Sequence, residues 1–329
     1  MKQKESSMVF PPDWIQTAKS RYDSSPHFQQ PWPYCIATEE KFSLLRQQIE
    51  HWVSSLPEKL QRKTIANLQK DKSFWQSYHE LAIGNLLKNL GLRTEFEKDF
   101  GGLTPDWYVS ASDGSQAFIV EVLTENISES EKSENKQIAD LEHRLMQIPL
   151  DVVLSISFNR ELAKIKLNSQ RSKKIVRGVK QWLEGGNSNV ESELLLDEFT
   201  FEVVCRDKGF STLQFGGFGR SFCVDPTPLR VNINKKVHRY KTVVETNSIP
   251  LVIAVVADLK TNYGDLEMKK VLFGQVFRQE VLSGGLFAKK PLLTGAIRAW
   301  SPQIGKWQMQ YYSNPQAKNP LAENLFKAL

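Results

Sequence analysis

Residues 105–123 read Pro-Asp-Trp-Tyr-Val-Ser-Ala-Ser-Asp-Gly-Ser-Gln-Ala-Phe-Ile-Val-Glu-Val-Leu, and this stretch decides the predicted fold. Pro105–Ala111 and Ala117–Thr124 are rich in β-branched and aromatic residues, a composition that favours strands. Between them lies the dipeptide Asp113-Gly114, and Asp-Gly between two such runs is a strong hairpin signal. The sequence therefore predicts two antiparallel strands joined by a tight turn.

The predicted hairpin brings two carboxylates together. With Asp113 and Gly114 in the loop, Asp106 lies directly opposite Glu121, and directly opposed residues have Cβ atoms roughly 4.5–5.5 Å apart. Carboxylates at that distance repel each other unless a positive charge lies between them. Oxygen ligands suit Mg²⁺ or Mn²⁺, so the pair is a predicted metal site. A solvated structural pair is the alternative, and the apolar neighbours of Glu121 argue against it.

The flanking sequence extends the hairpin to a larger core. Helical periodicity followed by a glycine predicts a helix before the hairpin, and the segments after it predict another helix and a short apolar strand. The predicted elements are a helix over Ser73–Leu90 that Ser73 can cap, a strand over Arg93–Lys98, the hairpin, a helix over Ser133–Gln147 and a strand over Val152–Phe158. The order is helix, three strands, helix, strand.

Pro105-Asp106 followed by Val120-Glu121-Val122-Leu123 resembles the motif of the PD-(D/E)XK nuclease superfamily. The element order resembles its restriction-endonuclease-like αβββαβ core, over about 85 of the 329 residues. The resemblance implies an α/β fold with a mixed central sheet flanked by helices, and a nuclease that hydrolyses phosphodiester bonds in DNA as an endonuclease or exonuclease. It also implies Mg²⁺ or Mn²⁺ as cofactor, held by Asp106, Glu121 and a helical acid that matches Glu80. A structural role for Glu80 is the alternative.

One position departs from the family pattern. The family's lysine follows the second acid by two residues, where this chain has Leu123. A lysine from a neighbouring element takes over in some members, and Lys136 on the next predicted helix is the nearest candidate, with Lys98 as another. The alternative is that catalysis has been lost and the fold serves as a nucleic-acid-binding or assembly module.

The charge distribution points to a polyanionic partner. The net charge is +6, and the pI is about 9.0. Two segments, Arg160–Glu184 and Arg230–Lys241, concentrate cations that can contact phosphates, although a solvated helix face is the alternative. The partner is predicted to be DNA, with RNA as a second option. The predicted nucleic-acid-binding residues are Arg171, Lys173, Lys174, Arg177, Lys180, Lys235, Lys236 and Arg239.

Composition excludes several other classes. The longest apolar run, Leu251–Ala257, has seven residues, against the roughly 20 that span a bilayer, so no membrane partner is expected. Three widely spaced cysteines without a CxxC motif favour a reduced, cytoplasmic location. We expect an irregular N-terminal arm and helices over residues 1–72, a nuclease-like core over 73–160, and an α/β elaboration over 161–329. The elaboration can continue the core sheet through Leu251–Ala257, and a homodimer or a protein partner stays open.

Overall fold

The computed structural model describes residues 8–25, 30–125, 129–158, 167–185, 189–206, 208–209, 212–218, 227–257, 264–274, 276–277, 280–281, 284–303, 305–322 and 325–326. It describes their side chains except at 125, 129–136, 158, 214–218, 257, 276–277, 280–281 and 303. The chain divides into two compact units, of which the second, Ile127–Cys223, interrupts the first in sequence. The first unit comprises Met1–Ser25, Gln30–Asn126 and Val224–Leu329.

The first unit begins with helices and enters a sheet at residue 93. Its elements up to the interruption are α1 Pro12–Tyr22, α2 Trp32–Thr38, a 3₁₀ turn Glu40–Phe42, α3 Ser43–Ser54, α4 Glu58–Leu68, α5 Asp71–Asn89, β1 Arg93–Phe96, β2 Trp107–Ser110 and β3 Ala117–Glu125. The predicted irregular arm is wrong where the structure describes it. Both α1 and α2 carry a proline in the first turn, where the missing N–H has no intrahelical partner to lose.

Helix α5 carries Glu80 and differs from the prediction at its start. It begins at Asp71, two residues before the predicted cap, and Ser73 donates its hydroxyl proton to the Asn67 carbonyl at 2.8 Å instead of capping the helix. Its end is as predicted: Gly91 follows with φ at +79°, a left-handed conformation that glycine adopts without a side-chain clash.

In its described residues, the second unit has a four-stranded sheet and two helices. Its elements are α6 Glu129–Leu145, β4 Val152–Phe158, α7 Ser169–Glu184, β5 Glu193–Leu196, β6 Phe199–Arg206 and β7 Gln214–Phe218, and its strand order is β5-β6-β4-β7. Helices α6 and α7 pack apolar residues such as Leu141 and Val179 on the strands. The strand predicted over Val152–Phe158 forms, but it belongs to this sheet. The expectation that it closes the sheet of the hairpin is therefore wrong, because a short apolar strand does not reveal its partner.

The first unit resumes with α8 Thr227–Arg239, α9 Lys241–Asn247, β8 Leu251–Ala257, α10 Asp265–Phe273, β9 Val276–Phe277, β10 Glu280–Val281, α11 Leu286–Lys289, β11 Leu293–Gln303 and β12 Lys306–Ser313. Its main sheet has six strands in the order β1-β2-β3-β8-β11-β12. Strand β8 pairs in parallel with both β3 and β11, and the remaining neighbours are antiparallel. The fold is thus α/β with a mixed six-stranded sheet, and the prediction that Leu251–Ala257 is a central strand is confirmed.

The two faces of this sheet pack against different helices. Along β3, Phe118, Val120 and Val122 join one apolar cluster, which includes residues of α5. Ile119 and Leu123 join the other cluster, which includes residues of α8, α9 and α10. Because side chains alternate along a strand, Glu121 points to the same face as Ile119 and Leu123, under α8.

Candidate functional site

The hairpin has the predicted register. Strands β2 and β3 pair Trp107 with Val120 and Ser110 with Ala117, and continuing this ladder by one residue sets Asp106 opposite Glu121. The turn is wider than predicted: the Ala111 N–H donates to the Gln116 carbonyl at 2.9 Å, which encloses the four residues Ser112–Ser115. The wider turn keeps the same pairing, so the register prediction is confirmed.

Asp106 is fixed by the strand that carries its partner. Its Oδ2 atom accepts a hydrogen bond from the backbone N–H of Val122 at 2.7 Å. Burial raises the pKa of Asp106 well above its usual range, and the charges of Glu121 and Glu80 raise it further. The Lys236 ammonium and the Val122 N–H oppose this rise. Asp106 therefore lies among negative charges that are only partly balanced.

Glu121 is buried and paired with a lysine from a distant part of the sequence. Its side chain is 2% exposed, and Oε2 lies 2.6 Å from Nζ of Lys236 on α8. Lys236 was predicted to contact phosphates, with a solvated helix face as the alternative. Its side chain is only 23% exposed and its ammonium is engaged with Glu121, so Lys236 reaches into the site and does not lie on a solvated face.

Glu80 joins the two acids from the helix. Its Oε1 atom accepts a hydrogen bond from Gln76 Nε2 at 2.6 Å, and its backbone carbonyl accepts one from Trp107 Nε1 at 2.7 Å. The indole approaches α5 this closely because residue 84 is glycine: a Cβ there would lie 2.0 Å from the Trp107 ring. Burial raises the pKa of Glu80 to about 7, with contributions from the charges of Glu121 and Glu97.

Glu97 is a fourth acid that the sequence analysis missed. The register of β1 and β2 continues to set Glu97 opposite Asp106, and its N–H donates to the Asp106 carbonyl at 3.1 Å. It has a φ of +50°, which is uncommon for a residue other than glycine, and its carboxylate lies 2.6 Å from Lys63 Nζ. The eight residues between Glu97 and Asp106 include the turn signal Gly101-Gly102, but a connection of this length does not fix a register from sequence alone.

We call Glu80, Glu97, Asp106 and Glu121 the acidic cluster. Lysines pair with two of its members, Glu97 and Glu121, and the other two are those whose pKa values are raised. Two carboxylates therefore remain without a cationic partner in the described part of the chain, a deficit that one divalent cation would balance. Their oxygen donors suit Mg²⁺ or Mn²⁺, which keep several waters and take one or two protein carboxylates.

The cluster is not a preformed metal cage. Among the described residues, no group of three or more His, Cys, Asp or Glu side chains is arranged to hold a metal ion. The donor chemistry fits a hard divalent cation, but any such ion would complete its coordination with water or with oxygens of a substrate.

Of the two lysines suggested for the position of Leu123, only Lys98 has a described side chain. Leu123 is packed in the core under α8. Lys136 lies on α6 in the second unit, and its side chain is outside the described residues. Lys98 lies 3.0 Å from Glu95 and 3.8 Å from the centre of the Tyr108 ring. Lys236, which sequence reasoning assigned to phosphate contact, is the lysine that reaches Glu121.

The remaining predicted nucleic-acid contacts lie on two helices. On α7, Lys173, Lys174, Arg177 and Lys180 are exposed, whereas Arg171 is paired with Asp197 and Glu198. Lys180 also lies 3.7 Å from Glu184. On α8, Lys235 and Arg239 are exposed and flank the half-buried Lys236. Each helix thus presents exposed cations, α7 in the second unit and α8 in the first.

Comparison of the chain with protein-family models, with curated proteins and with solved structures finds no match in any of the three. Within the described ranges, none of the helices combines the length and the apolar character needed to cross a bilayer.

Proposed function

We propose that this protein is a metal-dependent nuclease that hydrolyses phosphodiester bonds in DNA, with its active site at the acidic cluster. The observation that carries the proposal is the Glu121–Lys236 pair beside Asp106. Two opposed carboxylates and a lysine are the side chains that the PD-(D/E)XK resemblance requires. In this chain position 123 is a leucine, and the lysine comes from α8 instead.

The order of elements supports the same resemblance. When the second unit is set aside, the chain runs α5, β1, β2, β3, α8, α9 and β8, a helix, three strands, helices and a strand. Strand β8 lies parallel to β3 in the sheet. An αβββαβ core is thus obtained with α8 and β8 in the places first assigned to Ser133–Gln147 and Val152–Phe158.

Each residue of the cluster has a chemical task in the proposed reaction. Asp106 and Glu121 would hold Mg²⁺ or Mn²⁺, and Glu80 would complete the site or orient a water molecule. When bound, the cation would supply charge stabilisation at the phosphate and lower the pKa of a water molecule. Lys236 Nζ, which donates to Glu121, orients the attacking water or offsets negative charge that develops on the phosphate.

Contacts with the nucleic acid come from the exposed cations. Lys235 and Arg239 lie on the helix that holds Lys236, so a backbone bound along α8 passes beside the cluster. The second unit has exposed cations of its own on α7, Lys173, Lys174, Arg177 and Lys180, which offer phosphate contacts there. Such contacts give affinity that depends on salt and little on base sequence.

The test is a cleavage assay with matched variants of the full chain. Linear and circular DNA, single- and double-stranded, are incubated with Mg²⁺ or Mn²⁺ and with wild type, Asp106→Asn, Glu121→Gln or Asp113→Asn. Asp113 is the control, because it lies in the exposed turn of the same hairpin. We expect wild type and Asp113→Asn to cleave DNA. The cleavage rates of the other two variants should fall at least about 100-fold, because even residues that only hydrogen bond to metal ligands contribute 10–100-fold to affinity or activity.

A second function is favoured by one residue. Leu123 replaces the family's lysine, which is the change expected of a nuclease-like fold that only binds nucleic acid. Salt-sensitive DNA binding by wild type without cleavage of any of these substrates would support that function. Equal cleavage by wild type and both acid variants would contradict the proposed site.

A further inference from the structure

Tyr240 closes the last turn of α8 directly beside the acidic cluster. It follows Arg239, and its N–H donates to the carbonyl of Lys236 at 3.2 Å, so Lys236 and Tyr240 lie on one face of the helix, one turn apart. Lys236 reaches Glu121 from this face. The same turn of α8 therefore delivers an ammonium group and a phenol to the sheet.

The phenol is fully buried and hydrogen bonded. Tyr240 is 0% exposed and packs in the apolar cluster that contains Ile119 and Leu123, the residues on either side of Glu121 on this face. Its hydroxyl donates to the backbone carbonyl of Thr104 at 3.1 Å. Thr104 precedes Pro105 and Asp106, so Tyr240 holds the segment that leads into the first acid.

The Glu121 carboxylate also acts on the phenol. Burial raises the pKa of Tyr240, and charge and hydrogen-bond interactions with Glu121 raise it further. The phenol has one proton to donate, and the Thr104 carbonyl accepts it, so the hydroxyl is held at Thr104 in the field of the Glu121 charge.

We propose that Tyr240 is a positioning residue: it ties the Thr104–Asp106 segment to the end of α8, whose Lys236 reaches Glu121, and so fixes the two acids relative to each other. The proposal rests on the proposed function, because the two acids are positioned for a divalent cation. Tyr240 acts through Asp106 and Glu121 and does not touch the cation or the substrate. Hydrogen-bond partners of metal-binding residues orient them, and their loss typically weakens metal binding 10–100-fold.

The first measurement is calorimetric titration of the full chain with Mn²⁺. Tyr240→Phe removes only the hydroxyl and is compared with Tyr312→Phe, which removes another buried hydroxyl, one that donates to Asp265 at 2.9 Å. Thermal unfolding establishes that both variants are folded. We expect Tyr240→Phe to bind Mn²⁺ about tenfold more weakly than wild type, and Tyr312→Phe to bind as wild type does. Equal affinity in Tyr240→Phe and wild type would overturn the proposal.

The second measurement needs no metal. The eight tyrosines are replaced by 3-fluorotyrosine, and Tyr240→Phe identifies the ¹⁹F resonance of Tyr240. Glu121→Gln should shift this resonance, whereas Asp265→Asn should shift that of Tyr312 and leave Tyr240 unchanged. A Tyr240 resonance that Glu121→Gln does not move would overturn the proposal whatever the calorimetry gives.

The two measurements separate the positioning role from the proposed function. If wild type binds no Mn²⁺, the metal-dependent function fails, and the ¹⁹F shift alone decides whether Tyr240 is coupled to Glu121. If wild type binds Mn²⁺ and the resonance moves, a tenfold loss in Tyr240→Phe supports the positioning role, and unchanged affinity refutes it.

Discussion

Nζ of Lys236 lies 2.6 Å from Oε2 of Glu121, across 115 residues of sequence that include the whole second unit. The two side chains differ in their access to water: that of Glu121 is 2% exposed and that of Lys236 is 23% exposed. This asymmetry determines how the protein responds when either partner is removed.

Lys236→Met should destabilise the protein more than Glu121→Gln. The first change leaves a buried carboxylate without its cation, whereas in the second the lysine can still reach water. We expect a loss of about 2–4 kcal/mol in the free energy of unfolding for Lys236→Met, and a smaller loss for Glu121→Gln. Urea denaturation at pH 8 with EDTA measures both. The double variant should be more stable than Lys236→Met alone, and an equal or larger loss in Glu121→Gln would contradict the asymmetry.

Glu80→Gln should gain stability relative to wild type as the pH rises. The folded pKa of Glu80 is about 7, above its ordinary value of 4.5, so the favourable contribution of the protonated group is complete below 4.5 and is lost as the pH passes 7. Glutamine does not ionise. The difference in unfolding free energy should therefore move in favour of the variant by about 1–3 kcal/mol between pH 4.5 and 8.

Urea denaturation across this pH range checks the Glu80 prediction. Glu58→Gln is the control, because Glu58 is an exposed acid on α4, paired with Arg62 at 2.5 Å. The difference in unfolding free energy between Glu58→Gln and wild type should change little with pH. If the corresponding difference for Glu80→Gln also did not change with pH, the pKa of Glu80 would not be raised.

Gly84→Ala should disturb the contact that holds β2 on α5. The added Cβ would lie 2.0 Å from the Trp107 ring, whose N–H donates to the Glu80 carbonyl. We expect a loss of about 1–3 kcal/mol, as for other overpacked cores. Gly178→Ala on α7 is the contrast: its Cβ meets only the flexible end of Leu196, and alanine favours the helix. Thermal unfolding of both variants should show a lower Tm for Gly84→Ala alone.

The salt dependence of DNA binding should fall with each phosphate contact removed. Lys173→Ala/Lys174→Ala/Arg177→Ala should reduce the slope of log K against log salt concentration by about 2–3 for duplex DNA. Lys235→Ala/Arg239→Ala should reduce it by about 2. Fluorescence anisotropy from 50 to 300 mM salt measures the slope, with Lys59→Ala as the control, since Lys59 is exposed outside both basic segments. Unchanged slopes would exclude these helices from the interface.

Local signals predicted the hairpin but not its surroundings. The Asp113-Gly114 turn fixed the pairing of Asp106 with Glu121 even though the turn is wider than predicted, because the added loop residues are symmetric about it. The position of Glu97 opposite Asp106 was not predicted. The segment between β1 and β2 is too long for its turn residues to determine how the two strands pair. A register error of one residue would turn every side chain to the opposite face.

Contacts between residues far apart in the sequence could not be predicted from local sequence patterns. Lys236 was predicted to contact nucleic acid as one cation of a basic segment, and only the packing of α8 on β3 shows that it meets a buried acid. Val152–Phe158 was assigned to the wrong sheet because the sequence of a short apolar strand does not show which strands it pairs with. The central position of Leu251–Ala257 was predictable, since a continuous apolar run suits a strand buried on both faces.

The central claim is that Asp106 and Glu121 together hold a divalent cation. Calorimetric titration of the full chain with Mn²⁺, beside Asp106→Asn, Glu121→Gln and the turn control Asp113→Asn, tests it without knowledge of the substrate. We predict binding to wild type and Asp113→Asn, and its loss in both acid variants while they remain folded. Equal binding by wild type and the acid variants, or no binding by folded wild type, would contradict the claim.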